Sequence, residues 1–155
     1  KGAYTVAFDI DEIAVGRNYH TKRNETIKSN MLPLVQDLTN PSPGLGWAHH
    51  ERESFTERGP ADVAMALALI HHLAIGNNLP FDQIAQFLRS IAKNVIIEFV
   101  PKEDSKVQLL LSSREDIFVH YDAPSFEAAM AKHFKLISRE AVKGSKRSLY
   151  LYQAR

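Results

Sequence analysis

Acidic side chains directly follow two predicted strands near the start of the chain. Residues 4–9 are apolar and rich in β-branched and aromatic types, which predicts a buried strand ending at Asp9, with Asp11 beyond it. Residues 31–35 predict a second strand, followed by Asp37. Such carboxylates can accept the hydroxyls of a ribose and the amino group of an adenine in nucleotide-binding folds. Helix capping by the first two and loop initiation by the third are equally open interpretations.

Two adjacent histidines, His71 and His72, close the most apolar stretch of the chain, residues 62–73. Adjacent residues rarely point at one ion. The chain has no cysteine and no third ligand at helical spacing, so a metal site is disfavoured. A general base, or a polar strand end with one histidine hydrogen-bonded inside, fits better. Lys143, Lys146 and Arg147 read as a solvated basic hairpin tip.

The elements that must position these side chains alternate between strands and helices. Between glycine-rich and proline-rich turns, residues 62–69 predict a buried strand, and apolar residues at helical spacing predict a helix over 81–91. The remaining predicted elements are a helix from Asp11 to about Lys28, a strand over 94–100, helices over 104–111 and 122–134, and a hairpin of 135–142 and 147–153. This order predicts an α/β fold: a Rossmann-like, mostly parallel sheet with helices on both faces and a C-terminal antiparallel hairpin.

Composition narrows the classes of function. Nineteen Lys and Arg against 18 Asp and Glu give a formal charge of +1, without the basic excess expected of a nucleic-acid binder. No apolar run approaches the roughly 18 to 20 residues of a membrane span, and the opening KGAYTVAFDID is not a signal peptide. We therefore expect a cytoplasmic protein with no nucleic-acid or membrane partner. Its oligomeric state cannot be read from the sequence.

These segments resemble class I S-adenosylmethionine-dependent methyltransferases. YTVAFDID resembles the family's second strand and acidic loop, LPLVQD the third strand, and ADVAMALALIHHL the fourth-strand motif. NVIIEFVPKED and FKLISREAVKGSKRSLYLYQ are similar to the fifth strand and the terminal hairpin. The resemblance implies S-adenosylmethionine as cofactor. The implied cofactor-binding residues are Asp9, Ile10, Asp11, Asp37, Leu38, Ala66 and Leu67, with His71 and His72 beside the acceptor.

One departure from the family concerns its first strand and glycine-rich loop. No G-x-G-x-G occurs, and GLGW at 44–47 neither follows a strand nor opens a helix. In the family's strand order the missing strand would lie between the strands at 4–9 and 62–69. We therefore expect residues 1–155 to be a single methyltransferase-like domain truncated at its N-terminus, inactive by itself.

The resulting hypothesis is methyl transfer to an unidentified acceptor, a small molecule rather than a nucleic acid. Residues 51–62 through 97–105 are also similar to a narrower bacterial group related to nodulation-type methyltransferases. Segments 39–58 and 101–122 are the candidates for acceptor binding. Two alternatives stay open: another nucleotide-binding Rossmann-type enzyme such as an NAD-dependent reductase, and a non-catalytic methyltransferase-like partner domain.

Overall fold

The structure, a computed structural model, describes residues 2–24 and 30–155. The chain forms two compact units, Lys1–Phe55 and Thr56–Arg155, and each is described by itself below. No helix in the described part of the chain is long and apolar enough to cross a bilayer. The predicted mixed α/β fold, with parallel strand pairs and an antiparallel hairpin at the C-terminal end, is confirmed.

The first unit is built around one parallel strand pair. β1 (Thr5–Asp9) and β2 (Met31–Val35) pair in register from Thr5 opposite Met31 to Asp9 opposite Val35. Between them runs α1 (Glu12–Asn24), whose first turn is capped by Asp11: its Oδ1 accepts the Ile13 N–H at 2.8 Å. The predicted helix end near Lys28 lies outside the described residues. Because the strands are parallel, Asp9 and the residues after Val35 share one sheet edge.

The prediction that the first strand is buried was wrong. Val6 and Phe8 are each 39% exposed, and Tyr4 before them is more exposed still. β1 pairs with β2 alone among the described residues, so two strands and one helix have too little surface to cover both of its faces. The apolar composition of residues 4–9 indicated a strand correctly, but it did not indicate how much of it is covered.

The second unit contains four strands and three α-helices: β3 (Ala61–Ala66), α2 (Phe81–Ile91), β4 (Ala92–Phe99), α3 (Ser105–Leu111), α4 (Ala123–Ala131), β5 (Phe134–Ala141) and β6 (Ser148–Ala154). The strands form one sheet in the order β3-β4-β6-β5. β3 and β4 are parallel, and β6 runs antiparallel to both β4 and β5. Edge strand β5 carries a bulge between Leu136 and Ser138.

The predicted strand over 62–69 is shorter and less buried than expected. β3 ends at Ala66, because Ala68 has a φ of 50° and cannot continue an extended backbone. Residues from Ile70 onward are helical, ending in a π-helical turn over His72–Gly76. Within β3, Met65 is 65% exposed and Ala66 is buried, so the strand alternates between solvent and core.

An aromatic cluster forms the centre of the second unit's core. Phe126 of α4 packs against Phe99 at a ring-centroid distance of 5.2 Å and against Tyr150 at 5.3 Å. Phe81 of α2 lies 5.7 Å from the same ring. One side chain thus joins two helices to the two central strands, β4 and β6.

We predict that Phe126→Ala destabilises the second unit by about 3–5 kcal/mol, because it removes a fully buried ring and leaves a cavity among three others. Denaturant unfolding followed by circular dichroism measures the change. Leu109→Ala, which truncates an exposed side chain of α3, is the matched control and should change the free energy of unfolding by less than about 0.5 kcal/mol. Equal effects of the two substitutions would contradict the assignment of Phe126 to the core.

Candidate functional site

Two predicted carboxylates stand at the carboxyl-end edge of the β1–β2 pair. Asp9 is exposed, and its Oδ1 accepts the Asp11 N–H at 3.0 Å. Asp37 is half-buried, and its Oδ1 accepts both the N–H and the hydroxyl of Thr39, at 2.8 and 2.7 Å. These bonds favour the ionised form and hold the pKa of Asp37 below its usual range. Both carboxylates therefore have one oxygen oriented by their own loop.

The other predicted residues of this edge differ in what they can contact. Asp11 caps α1, and its Oδ1 also accepts the Ala14 N–H at 3.3 Å, so the capping interpretation of Asp11 describes what its side chain does. Ile10 is 66% exposed, and Leu38 is half-buried. Asp9 thus offers an exposed carboxylate, flanked by the exposed apolar side chain of Ile10.

A charged cluster lies at the carboxyl ends of β3 and β4 in the second unit. Arg147 donates two bonds to Asp104, from Nε to Oδ2 at 2.7 Å and from Nη2 to Oδ1 at 3.1 Å. Its Nη1 also lies 3.4 Å from Oε1 of Glu98, which is only 9% exposed. The arginine keeps the pKa of Asp104 below its usual range, and the two carboxylates raise that of Arg147. Asp104 also caps α3 by accepting the Lys106 N–H.

Glu98 reaches from β4 to the segment that follows β3. Its Oε2 accepts the Ala68 N–H at 2.7 Å, and Ala68 is the residue after β3 whose backbone is left-handed. Ala66, just before, is buried, whereas Leu67 is 50% exposed. The predicted cofactor residues on this strand thus lie next to a backbone turn that is held by a buried carboxylate from the neighbouring strand.

The two histidines have opposite environments. His71 is 1% exposed, and its Nδ1 is buried without a hydrogen-bond partner. Burial, together with the neighbouring His72 and Arg147, lowers the pKa of His71 to about 4, although Asp104 and Glu98 oppose this shift. His72 is exposed, with its ring centroid 4.2 Å from that of His71. Of the pair, only His72 presents its imidazole to solvent.

Two arginines of this site were missed from the sequence. The prediction that Arg147 belongs to a solvated hairpin tip was wrong, because its side chain is only 23% exposed and is held by Asp104, 43 residues away. Arg114 donates to the carbonyls of Ile75 and Gly76 and to Asn78 Oδ1, at the end of the π-helical turn. The partners of both arginines lie more than 30 residues away in sequence, so no local spacing reveals these contacts.

Within residues 2–24 and 30–155, no group of three or more His, Asp or Glu side chains is placed to hold an ion.

We predict that His71 stays neutral down to a pH of about 4. The unfolded chain binds a proton at this residue below a pH of about 6.5, whereas the folded chain does so only near 4. The stability contributed by a neutral His71 is thus present above pH 6.5 and is lost as the pH falls from 6.5 to 4, by about 3 kcal/mol. NMR titration of histidine ring protons and denaturant midpoints across this window measure both effects.

The variant His71→Gln should flatten this part of the stability profile, since it removes the titrating ring. His120→Gln, at an exposed position of the same unit, should leave the slope in place. A His71 ring that titrates near 6.5 would contradict its burial.

Comparison with known proteins identifies one curated relative of this chain. No protein-family model matches the chain. It is 39% identical over 148 residues to the nodulation protein NoeA of Rhizobium meliloti (strain 1021), and this alignment covers 96% of this chain and 31% of NoeA. The chain thus spans about a third of the length of that curated relative.

Solved structures share the fold at low sequence identity. The 16S rRNA methylase ArmA matches with a TM-score of 0.57 and 15% identity, over 97% of this chain and 61% of ArmA. OxaC, solved with sinefungin and meleagrin, matches with a TM-score of 0.57 and 14% identity, over 100% of this chain and 37% of OxaC. The PH0226 protein of Pyrococcus horikoshii OT3 matches with a TM-score of 0.55 and 15% identity, over 99% of this chain and 73% of PH0226. The chain has the fold of the class I S-adenosylmethionine-dependent methyltransferases, as its sequence resemblance predicted.

Proposed function

We propose that the protein binds S-adenosylmethionine and takes part in transfer of its methyl group to a small-molecule acceptor. The observation that carries the proposal is the strand arrangement, in which a parallel pair ends in Asp9 and Asp37 and a β3-β4-β6-β5 sheet ends in the Glu98 cluster and the histidines. A known methylase and a protein solved with sinefungin share the fold. Similarity to NoeA supports a role related to nodulation.

The first unit supplies the groups that suit the nucleoside part of this cofactor. Ribose hydroxyls donate hydrogen bonds, and Asp9 offers an exposed carboxylate whose other oxygen is already fixed by the Asp11 N–H. Asp37 can accept from the adenine amino group, and Ile10 and Leu38 offer apolar surface to the ring. The role of Asp11 is to hold the start of α1, and it affects binding through the Asp9 loop.

The second unit supplies the groups that suit the acceptor. When bound, S-adenosylmethionine provides a methyl group activated by the positive sulfur. Methyl transfer then depends mainly on alignment, which Ala66 and Leu67 favour by lining the end of β3. The exposed His72 can orient the acceptor or take its proton. The buried His71 contacts no solvent, and its role in this proposal is to support the turn that carries His72.

A small acceptor fits the charge of the chain better than a nucleic acid does. The formal charge of +1 gives no basic surplus for a phosphate backbone. The likeness to the rRNA methylase ArmA, at 15% identity, concerns the fold alone. Segments 39–58 and 101–122 are the proposed acceptor-contacting parts.

We predict that, in a longer protein that includes the glycine-rich loop, Asp9→Ala weakens binding of S-adenosylhomocysteine about 10- to 100-fold, because it removes a charge-assisted acceptor for the ribose hydroxyls. Isothermal titration calorimetry measures the affinity. Asp37→Ala should weaken it less, since adenine binding also uses apolar contact.

Asp9→Asn is the sharper variant, because an amide oxygen can still accept the Asp11 N–H while the charge is lost. Asp62→Ala, which removes an exposed carboxylate paired with Lys93, is the control that should bind normally. Unchanged affinity in Asp9→Ala would contradict the site assignment, and binding of NAD in place of S-adenosylhomocysteine would favour the reductase alternative.

We also predict that His72→Ala lowers the turnover of methyl transfer by about 10²- to 10⁴-fold if His72 takes the acceptor's proton, with cofactor affinity unchanged. His71→Ala should instead reduce stability and leave the specific activity of the folded fraction close to normal. Transfer of a labelled methyl group, scaled to folded protein, separates the two. Normal turnover in both variants would exclude a catalytic role for this pair.

A further inference from the structure

We propose that Glu98 is a positioning residue of the acceptor site: by accepting the Ala68 N–H, it holds the chain in the left-handed turn that directs residues 69–72 away from β3. This inference rests on the proposed function, because it concerns how His72 is placed. It adds a residue that contacts neither cofactor nor acceptor in the arrangement proposed above.

The backbone at Ala68 needs an external restraint. A φ of 50° brings the Cβ of any residue other than glycine close to its own backbone, so alanine enters this region only when its surroundings impose it. The bond from Ala68 N–H to Glu98 Oε2, at 2.7 Å, joins it to a residue 30 positions away on the adjacent strand. A charged acceptor makes this bond stronger than one between neutral groups.

Glu98 is itself fixed in place. It lies on β4, which is paired on both sides, and it is 9% exposed. Its second oxygen, Oε1, faces Arg147 Nη1 at 3.4 Å, and Arg147 is held in turn by two bonds to Asp104. The carboxylate is therefore anchored by contacts other than that with Ala68, so that it can hold the turn in place relative to the sheet.

The turn after Ala68 connects the bond to Glu98 with the segment that carries the histidines. The carbonyl of Leu69 accepts the N–H of His72 at 3.0 Å and that of Leu73 at 3.2 Å, so the first helical turn starts from the residue next to Ala68. At its other end, Arg114 binds the carbonyls of Ile75 and Gly76. The segment that carries His72 is thus held at one end by Glu98 and at the other by Arg114.

The test combines Glu98→Gln with Ala68→Gly. Glutamine keeps the shape and an acceptor oxygen but loses the charge, so the Ala68 amide should exchange its hydrogen about tenfold faster. Turnover of methyl transfer should fall about tenfold, with the affinity for S-adenosylhomocysteine unchanged. Adding Ala68→Gly should restore most of the lost turnover, because glycine adopts a φ near 50° without the penalty of a Cβ.

The control is Asp62→Asn, which also changes a carboxylate to an amide but removes only an exposed ion pair at the start of the same strand. Should Glu98→Gln fail to fold, Glu98→Asp keeps the charge beside Arg147 and withdraws the carboxylate from Ala68, and the same rescue is expected. Unchanged exchange and turnover in the Glu98 variants, or turnover that Ala68→Gly does not restore, would overturn the proposal.

The two proposals fail differently. Because residues 1–155 are expected to be inactive by themselves, these tests use a longer protein that includes the glycine-rich loop. If that protein, unsubstituted, neither binds S-adenosylhomocysteine nor transfers a methyl group, the proposed function and the positioning role that depends on it are overturned. Normal binding and transfer, together with an Ala68 amide that is indifferent to Glu98, overturns the positioning role alone.

Discussion

The second unit is organised around the need to compensate one buried carboxylate. Removing Glu98 from water costs more than a single contact returns, so its oxygens require partners on two sides. The partners come from the exit of β3 and, through Arg147, from the start of β6. Asp104 then brings the start of α3 into the same network. Four segments that are distant in sequence thus meet around one charge on the central strand β4.

The two units support function by different means. In the first, each carboxylate is oriented by residues one or two positions beyond it, as in the bond from Thr39 to Asp37, so the loops form with little help from the rest of the fold. In the second, the bonds from Ala68 to Glu98 and from Arg147 to Asp104 span 30 and 43 residues, so they depend on the sheet that brings these segments together. The carboxylates of the first unit are therefore oriented locally, whereas the cluster of Glu98, Arg147 and Asp104 depends on the whole sheet.

This difference explains how much the sequence could predict. The apolar residues at helical spacing from Phe81 to Ile91 all lie in α2, because a helical apolar period is local. The predicted helices over 104–111 and 122–134 begin at Asp104 and Asp122, and both side chains cap them. Parallel pairing was predicted from alternating strands and helices, and the acidic loops from their place after strands.

Contacts set by tertiary structure were beyond such reasoning. Nothing local marks Ala68 as left-handed, since alanine normally favours helices, and the sheet imposes the conformation through Glu98. Likewise, Arg147 resembles its neighbours Lys143 and Lys146 in sequence and differs from them only by facing Asp104. The exposure of β1 depends on which elements cover it, and the composition of the strand carries no record of them.

The bulge in β5 has a consequence for the behaviour of the protein in concentrated solution. An edge strand displays free backbone donors and acceptors that invite pairing with another molecule. In β5 the register slips at Ile137, and the exposed side chains include Lys135 and Arg139, so a straight, uncharged ribbon is not available. Without these features, the exposed apolar side chains Leu136 and Ile137 would favour pairing of this edge with a strand of another molecule. The irregularity therefore guards the terminal hairpin against intermolecular sheet growth.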